Sequence, residues 1–233
     1  MPEHTWICLS DADRITGICL VITAQCMKKQ RLYAVEHAFL SRYPGGFNNN
    51  ELVAIGKKHQ ITRRHEQALA CFAPAQFATP QKVAFDMVTQ ISRSSMVSMF
   101  EKPRLKDWVN IMSDMERESY AMALYEILHG DEQRGFTTMC SLLSAAKVAK
   151  WPLMTILPYY YAVQRNVFIK PTTTKKIIAY FELEGLNYRP LPDYTFYRNY
   201  SDQILAMKSM VDPSLQIDNA AFTGFLMMAL QGL

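Results

Sequence analysis

The stretch Ser113 to Gly130, SDMERESYAMALYEILHG, predicts an α-helix whose two ends are both marked. Ser113 and Glu116 have the spacing of a capping box, in which each side chain bonds the backbone amide of the other residue. Gly130 stands where a left-handed residue is expected to end the helix. The apolar residues between them recur at helical spacing on one face: Ala121, Leu124, Tyr125 and Leu128.

Helical spacing of apolar residues continues outward from this stretch along most of the chain. The pattern predicts about ten helices and no internal repeat. Near the start of the chain, Ser10 and Asp11 are suited to cap a helix that runs through Ile15 and Ile22. A short alternating segment, Val167 to Lys170, is the one place where extended backbone is expected.

We therefore expect an all-α fold in which residues 1–233 form one compact domain. Within it, we expect two helical halves, about 1–130 and 131–233, with a cleft between them. The region from Lys147 to Tyr197 is expected to line that cleft, because its cations and aromatic residues are the densest in the chain.

Composition excludes several other classes of protein. Hydrophobic residues make up 49% of the 233 residues and charged residues 20%, which is a globular composition. The chain has no run of 18 apolar residues, so no membrane span is expected. Its five cysteines form no CxxC pair, which indicates reduced thiols in a cytoplasmic protein and no zinc site.

Positive charge is concentrated in two segments of the chain. Residues 28–66 and 147–198 each contain eight lysine and arginine residues against three acidic ones. Residues 101–134 have the opposite balance, with five basic and eight acidic residues. If the two basic segments fold onto one face, that face would suit a polyanion such as DNA. The alternative is that these cations are spread over ordinary solvated helix surfaces.

The first basic segment contains two candidate phosphate-binding features. A basic helix surface is formed by Lys57, Lys58, Arg63 and Arg64 together with His59 and His65. The two histidines are six residues apart and have no acidic partner at ligand spacing, so no metal site is expected. Gly45 and Gly46 would let backbone amides approach a phosphate, unless they only form a turn between helices.

The second basic segment interleaves cations with aromatic residues, which suits phosphate pairing combined with base stacking. Thr172 and Thr173 also open a predicted helix, whose free amides attract anions. The alternative is that the tyrosines pack in the core. The further candidates for DNA contact in this segment are Lys147, Trp151, Tyr160, Arg165 and Lys175.

Much of the chain resembles a family of uncharacterised bacterial proteins. That family has a PGGF-like turn, an EKxRL stretch and an FxKPTxT segment after a tryptophan–proline step. The matching residues are Pro44–Phe47, Glu101–Leu105, Leu128–Gly130, Trp151–Pro152, Phe168–Thr174 and Tyr188. This resemblance implies no particular activity.

A second, more distant resemblance covers about 50 residues and points to the helix-hairpin-helix DNA glycosylases. The order of helix, loop, extended residue and capped helix from Lys150 to Phe181 is similar to the back half of that family. Two departures are clear. Ser144 to Lys147 stands where the family has its hairpin glycines, and Lys170 stands where it has its catalytic aspartate.

The glycosylase resemblance implies removal of an altered base from double-stranded DNA, with no cofactor. Phage-modified bases are a natural substrate class for such a protein. A carboxylate that stabilises the cationic sugar would come from Asp193, Asp202 or Asp218. A lysine that attacks C1′ would be Lys150 or Lys170. Trp151 or one of the tyrosines at 159–161 would fill the space that an extruded base leaves.

A hypothesis from another class is a helical adaptor without enzymatic activity. It would bind a protein partner through an exposed methionine-rich surface. That surface would be formed by Met96, Met99, Met112 and Met115, or by Met227 and Met228.

Overall fold

The computed structural model describes residues 28–231, most of which are helical. Helix α1 occupies residues 28–42 of this part. It is followed by α2 (Asn50–Lys57), α3 (Ile61–Cys71), α4 (Pro80–Arg93), α5 (Glu101–Ile111), α6 (Asp114–His129), α7 (Glu132–Ala145), α8 (Trp151–Tyr161), α9 (Pro171–Phe181), α10 (Tyr194–Lys208) and α11 (Asn219–Ala229). The described residues contain no β-strand, so the predicted all-α fold is confirmed. The helix expected after Ser10 and Asp11 lies outside them.

The start of α6 is as predicted, but its end is not. The Ser113 side chain accepts a hydrogen bond from the Glu116 amide, and the Glu116 carboxylate accepts one from the Ser113 amide at 2.7 Å. Gly130 has φ −126°, so the expected left-handed cap is wrong. The physical reason is the Glu126 carboxylate, which accepts a hydrogen bond from the Asp131 amide at 2.9 Å. This side chain therefore satisfies a backbone donor just beyond the helix, in place of a left-handed glycine cap.

Helix α8 lies at the centre of the fold. Every residue from Trp151 to Tyr160 is buried, and the helix packs against α3, α4, α6 and α7. A helix that is apolar on all sides is stable only when other elements surround it. The buried apolar residues form one core that extends from Leu32 in α1 to Leu226 in α11.

The segment after α8 is extended, as expected, and it positions Lys170. Val167, Phe168 and Ile169 are buried without pairing to a strand. Instead, the Ile169 amide donates to the Thr155 hydroxyl at 3.0 Å, so α8 satisfies this backbone group. The next residue, Lys170, is exposed and precedes α9. The buried segment therefore holds the lysine backbone while its side chain faces solvent.

No helix in the described part of the chain has the length and apolar character needed to cross a bilayer.

Candidate nucleic-acid interface

Polar side chains from distant parts of the chain meet beside the C-terminal end of α8. We call this group the His59 cluster, which consists of His59, Ser94, Ser95, Lys102, Tyr160, Lys170 and Asp218. His59 lies in the turn between α2 and α3, and the serines lie in the loop between α4 and α5. Gln60, which follows His59, has a left-handed φ of 50°. A residue other than glycine is strained there, and such strain is often found at functional sites.

His59 and Ser95 form a hydrogen-bonded pair at the surface of the cluster. The distance from His59 Nδ1 to Ser95 Oγ is 2.9 Å. Partial burial lowers the pKa of His59, the charges of Lys170 and Lys58 lower it further, and Asp218 opposes them. His59 is therefore neutral near pH 7 and can accept a proton from a neighbouring group.

Ser94 anchors the loop that carries Ser95. Its hydroxyl lies 2.8 Å from the buried Tyr160 hydroxyl and also accepts from the Met96 amide at 3.1 Å. The Lys102 ammonium donates to the Ser94 carbonyl. Partial burial lowers the pKa of Lys102, and the charge of Arg64 adds to this effect. The loop between α4 and α5 is thus tied both to the central helix and to the start of α5.

Asp218 joins the cluster to the start of α11. Its Oδ1 accepts from the Tyr159 hydroxyl at 2.9 Å and from the Ala221 amide at 2.8 Å, so it caps the helix. Burial raises the pKa of Tyr159, and the Asp218 charge raises it further. Asp218 is the one predicted carboxylate that reaches the cluster, but its hydrogen bonds assign it a structural role.

The neighbouring tyrosines of α8 offer a matched test of this arrangement. We expect Tyr159→Phe to lower the free energy of unfolding by about 1.5–3 kcal/mol, because it removes a donor from a buried carboxylate. Tyr160→Phe should cost about 0.5–1.5 kcal/mol, because Ser94 keeps its bond from the Met96 amide. Urea denaturation followed by circular dichroism measures both values. Equal losses in the two variants would contradict the special role of the Tyr159–Asp218 bond.

The other predicted acids have local structural roles. Asp193 caps α10 by accepting from the Phe196 amide at 2.8 Å. Asp202 pairs with Arg198 at 2.7 Å. Neither has a hydrogen bond or an ion pair to the His59 cluster in the described residues. The prediction that either one serves a site around Lys170 therefore has no support in the geometry.

The two candidate lysines lie in different surroundings. Lys170 is exposed and its charge acts on His59. Lys150 is also exposed, and its charge acts on Glu101, the first residue of α5. Burial raises the pKa of Glu101, and Lys150 opposes that shift. Only Lys170 of the two acts directly on the neutral histidine.

Burial corrects the prediction that Trp151, Tyr159 or Tyr160 stacks on a base. Trp151 is 1% exposed, and its indole N–H donates to the Arg189 carbonyl. Tyr159 and Tyr160 are both fully buried at 0% exposure. Because α8 is enclosed on all sides, these rings belong to the core and do not stack on a bound base. Tyr161, the third tyrosine of that run, is only partly buried, and its ring lies edge-on to His129 at 5.2 Å.

The glycine turn is also a packing feature. Gly46 has a left-handed φ of 56° and is buried against the Ser214 side chain, which occupies the position that a Cβ would need. Gly45 is exposed and has open space at the corresponding position. The missing side chain at Gly46 therefore lets the segment around Ser214 approach closely. This corrects the expectation that the glycine lets a phosphate approach the backbone.

The remaining predicted contacts divide between the surface and the interior. Arg64 is largely buried and donates to Gln60 and Gln67, and Thr173 is buried as well. Lys175 lies over the Tyr188 ring. The exposed candidates are Lys57, Lys58, Arg63, Lys147, Arg165 and Thr172.

Part of the region expected to line a cleft does line a pocket of about 280 Å³. Its walls include Trp151, Arg189 and Asp193. Lys170 and His59 are not among its lining residues, so the pocket and the His59 cluster are separate features.

The methionine surface expected for an adaptor is not continuous. Met99 and Met115 are exposed, Met112 is buried, and Met96, Met227 and Met228 are partly buried.

The described residues also contain no cluster of metal-binding side chains. Among residues 28–231, no three or more His, Cys, Asp and Glu side chains lie close enough together to hold a metal ion.

Sequence reasoning missed Ser94, Ser95 and Lys102 as members of the site. The only signal was the run Ser92-Arg93-Ser94-Ser95, which breaks the apolar pattern after Ile91. No family model, curated protein or solved structure matches this chain.

Proposed function

We propose that this chain binds duplex DNA through the lysines at the His59 cluster. The observation that carries the proposal is that the charges of Lys58 and Lys170 both act on His59, while neither of them nor Lys102 forms an ion pair within residues 28–231. Six of the 24 lysine and arginine residues of that part form ion pairs, so the location of these three at the His59 cluster, and not the lack of an ion pair alone, favours an anionic ligand. Neighbouring cations without carboxylates are suited to the phosphates of a nucleic acid.

The electrostatics of the cluster support an anionic ligand. Lys170 and Lys58 both disfavour a positive charge on His59, and Arg64 disfavours one on Lys102. A bound phosphate would offset this repulsion among the cations. Asp218, the acid whose charge acts on His59, already accepts hydrogen bonds from Tyr159 and Ala221.

The resemblance to DNA glycosylases favours duplex DNA over other polyanions. It aligns Lys170 with the catalytic aspartate of that family, and Lys170 is the exposed cation beside His59.

Base excision is the finer proposal for this site, and the neutral His59 beside Lys170 favours it. The Lys170 amine attacks C1′, and the bond from C1′ to the base breaks with its electrons leaving on the base. His59 takes the proton that the amine loses and passes it to the departing base. The sugar ring then opens to an imine, and water hydrolyses the imine to free Lys170.

Binding to plain duplex DNA and to the same duplex with an abasic-site analogue tests the proposal. We expect affinity to fall with salt, with a slope of log K against log salt of about −3 or steeper. We also expect tighter binding to the analogue, because an extruded nucleotide there costs less unstacking energy. Release of base from modified duplexes, measured by chromatography, then tests excision.

Absence of binding at low salt would contradict DNA binding and leave the adaptor hypothesis. Salt-dependent binding without preference for the analogue and without base release would support the DNA-binding proposal and contradict excision.

A further inference from the structure

The loop between α4 and α5 ends in two large apolar side chains that extend into solvent. Met99 is 73% exposed and Phe100 is 80% exposed. The same loop begins with Ser94 and Ser95 of the His59 cluster. No other aromatic residue in the described part of the chain has so exposed a side chain.

The backbone around Phe100 is held in place. The Phe100 amide donates to the Ser98 hydroxyl at 3.3 Å, and the Glu101 amide donates to the Ser98 carbonyl at 3.1 Å. Two residues beyond Phe100, the Lys102 ammonium bonds the Ser94 carbonyl. The exposed ring is therefore presented from a closed loop whose base is part of the cationic site.

An aromatic ring in water two residues from Lys102, which forms no ion pair within residues 28–231, fits a ligand that is both anionic and flat. Apolar surface gains free energy when it leaves water, and cations gain from neighbouring phosphates. Nucleic acid offers both, because its bases stack on aromatic rings while its backbone carries the charge.

We propose that Phe100, supported by Met99, inserts between base pairs of bound DNA and fills the space left by an unstacked or missing base. This inference rests on the proposed DNA binding and identifies the residue that distorts the duplex. It gives Phe100 the role that sequence reasoning assigned to Trp151 or the tyrosines of α8. Apolar side chains that enter the minor groove in this way kink the duplex and separate adjacent bases.

A duplex with 2-aminopurine next to an abasic-site analogue measures the insertion directly. Saturating wild-type protein should change the 2-aminopurine fluorescence, because insertion alters its stacking. Phe100→Ala should remove most of this change and weaken binding to the analogue about 5- to 100-fold. Phe100→Trp should restore both, since a larger ring can also stack.

Ile111→Ala is the matched control, because Ile111 is 83% exposed at the opposite end of α5. We expect it to leave both the fluorescence and the affinity unchanged. If Phe100→Ala retains the wild-type fluorescence change, the insertion is disproved while DNA binding stands. If wild-type protein binds no DNA at low salt, the proposed function itself fails, and this inference fails with it.

Discussion

A variant with Lys58, Lys102 and Lys170 all changed to Glu is expected to lose roughly 100- to 1,000-fold in affinity for duplex DNA at moderate salt. Each substitution removes a cation that would pair with a phosphate and places a carboxylate there. The remaining affinity should also depend less on salt, because the slope falls by about one for each phosphate-binding lysine that is replaced. A fluorescence-anisotropy titration at several salt concentrations measures both effects.

The matched control makes the same change of charge elsewhere on the molecule. In the variant Lys29→Glu/Lys82→Glu/Arg134→Glu, the three residues lie on α1, α4 and α7 and are exposed. We expect its affinity to fall by less than about tenfold, because only the long-range field changes. Equal losses in both variants would mean that overall charge, and no particular face, governs binding.

Stability must be compared in the same experiment, because Lys102 also bonds the Ser94 carbonyl. The single variant Lys170→Glu avoids this difficulty, since the Lys170 side chain is exposed and forms no ion pair within residues 28–231. We expect it to keep the wild-type melting temperature while binding DNA more weakly than wild type.

The parts of the fold that were predicted from sequence depend on local interactions. The capping box of Ser113 and Glu116 links residues only three apart, so the residue types alone indicate it. The end of the same helix depends on Glu126 bonding Asp131, a choice that competes with the usual glycine cap. The spacing of residues in the sequence does not decide between these two ways of ending the helix.

The site could not be assembled from sequence because its contacts are long-range. His59 and Ser95 are 36 residues apart, and Tyr159 and Asp218 are 59 apart. Their meeting depends on how helices pack around α8, which periodicity does not specify. The sequence did identify Lys170 and Asp218 as chemically notable residues, but it did not reveal that the charges of both act on His59.

Burial of the α8 aromatics, in contrast, could have been predicted. The run from Trp151 to Tyr161 is apolar on every face and contains no charge, which is typical of an enclosed helix. Likewise, Asp193 and Asp218 each stand just before a helix, where a capping role is common. Four of the candidate functional residues thus have structural roles that the sequence indicates. Trp151 and Tyr160 are core residues, and Asp193 and Asp218 are helix caps.

Gly135→Ala is expected to destabilise the protein strongly, although alanine favours helices more than glycine does. Gly135 lies in α7, where α6 approaches most closely. A Cβ there would be 2.6 Å from the Ile127 amide nitrogen and 2.7 Å from the Ala123 carbonyl oxygen. Both are backbone atoms of α6, so a side-chain rotation cannot relieve the overlap, and the two helices must separate.

We expect a net loss of about 2 kcal/mol in the free energy of unfolding, since overpacking against backbone atoms should cost about 3 kcal/mol, the upper end of the usual range, and the gain in helix propensity returns about 1 kcal/mol. The melting temperature should fall by roughly 4–8 °C for a chain of this size. Gly224→Ala is the control: Gly224 lies within α11, and a Cβ there meets no atom within 4 Å. It should be neutral or stabilise by up to about 1 kcal/mol. Wild-type stability of Gly135→Ala would contradict the close packing of α6 on α7.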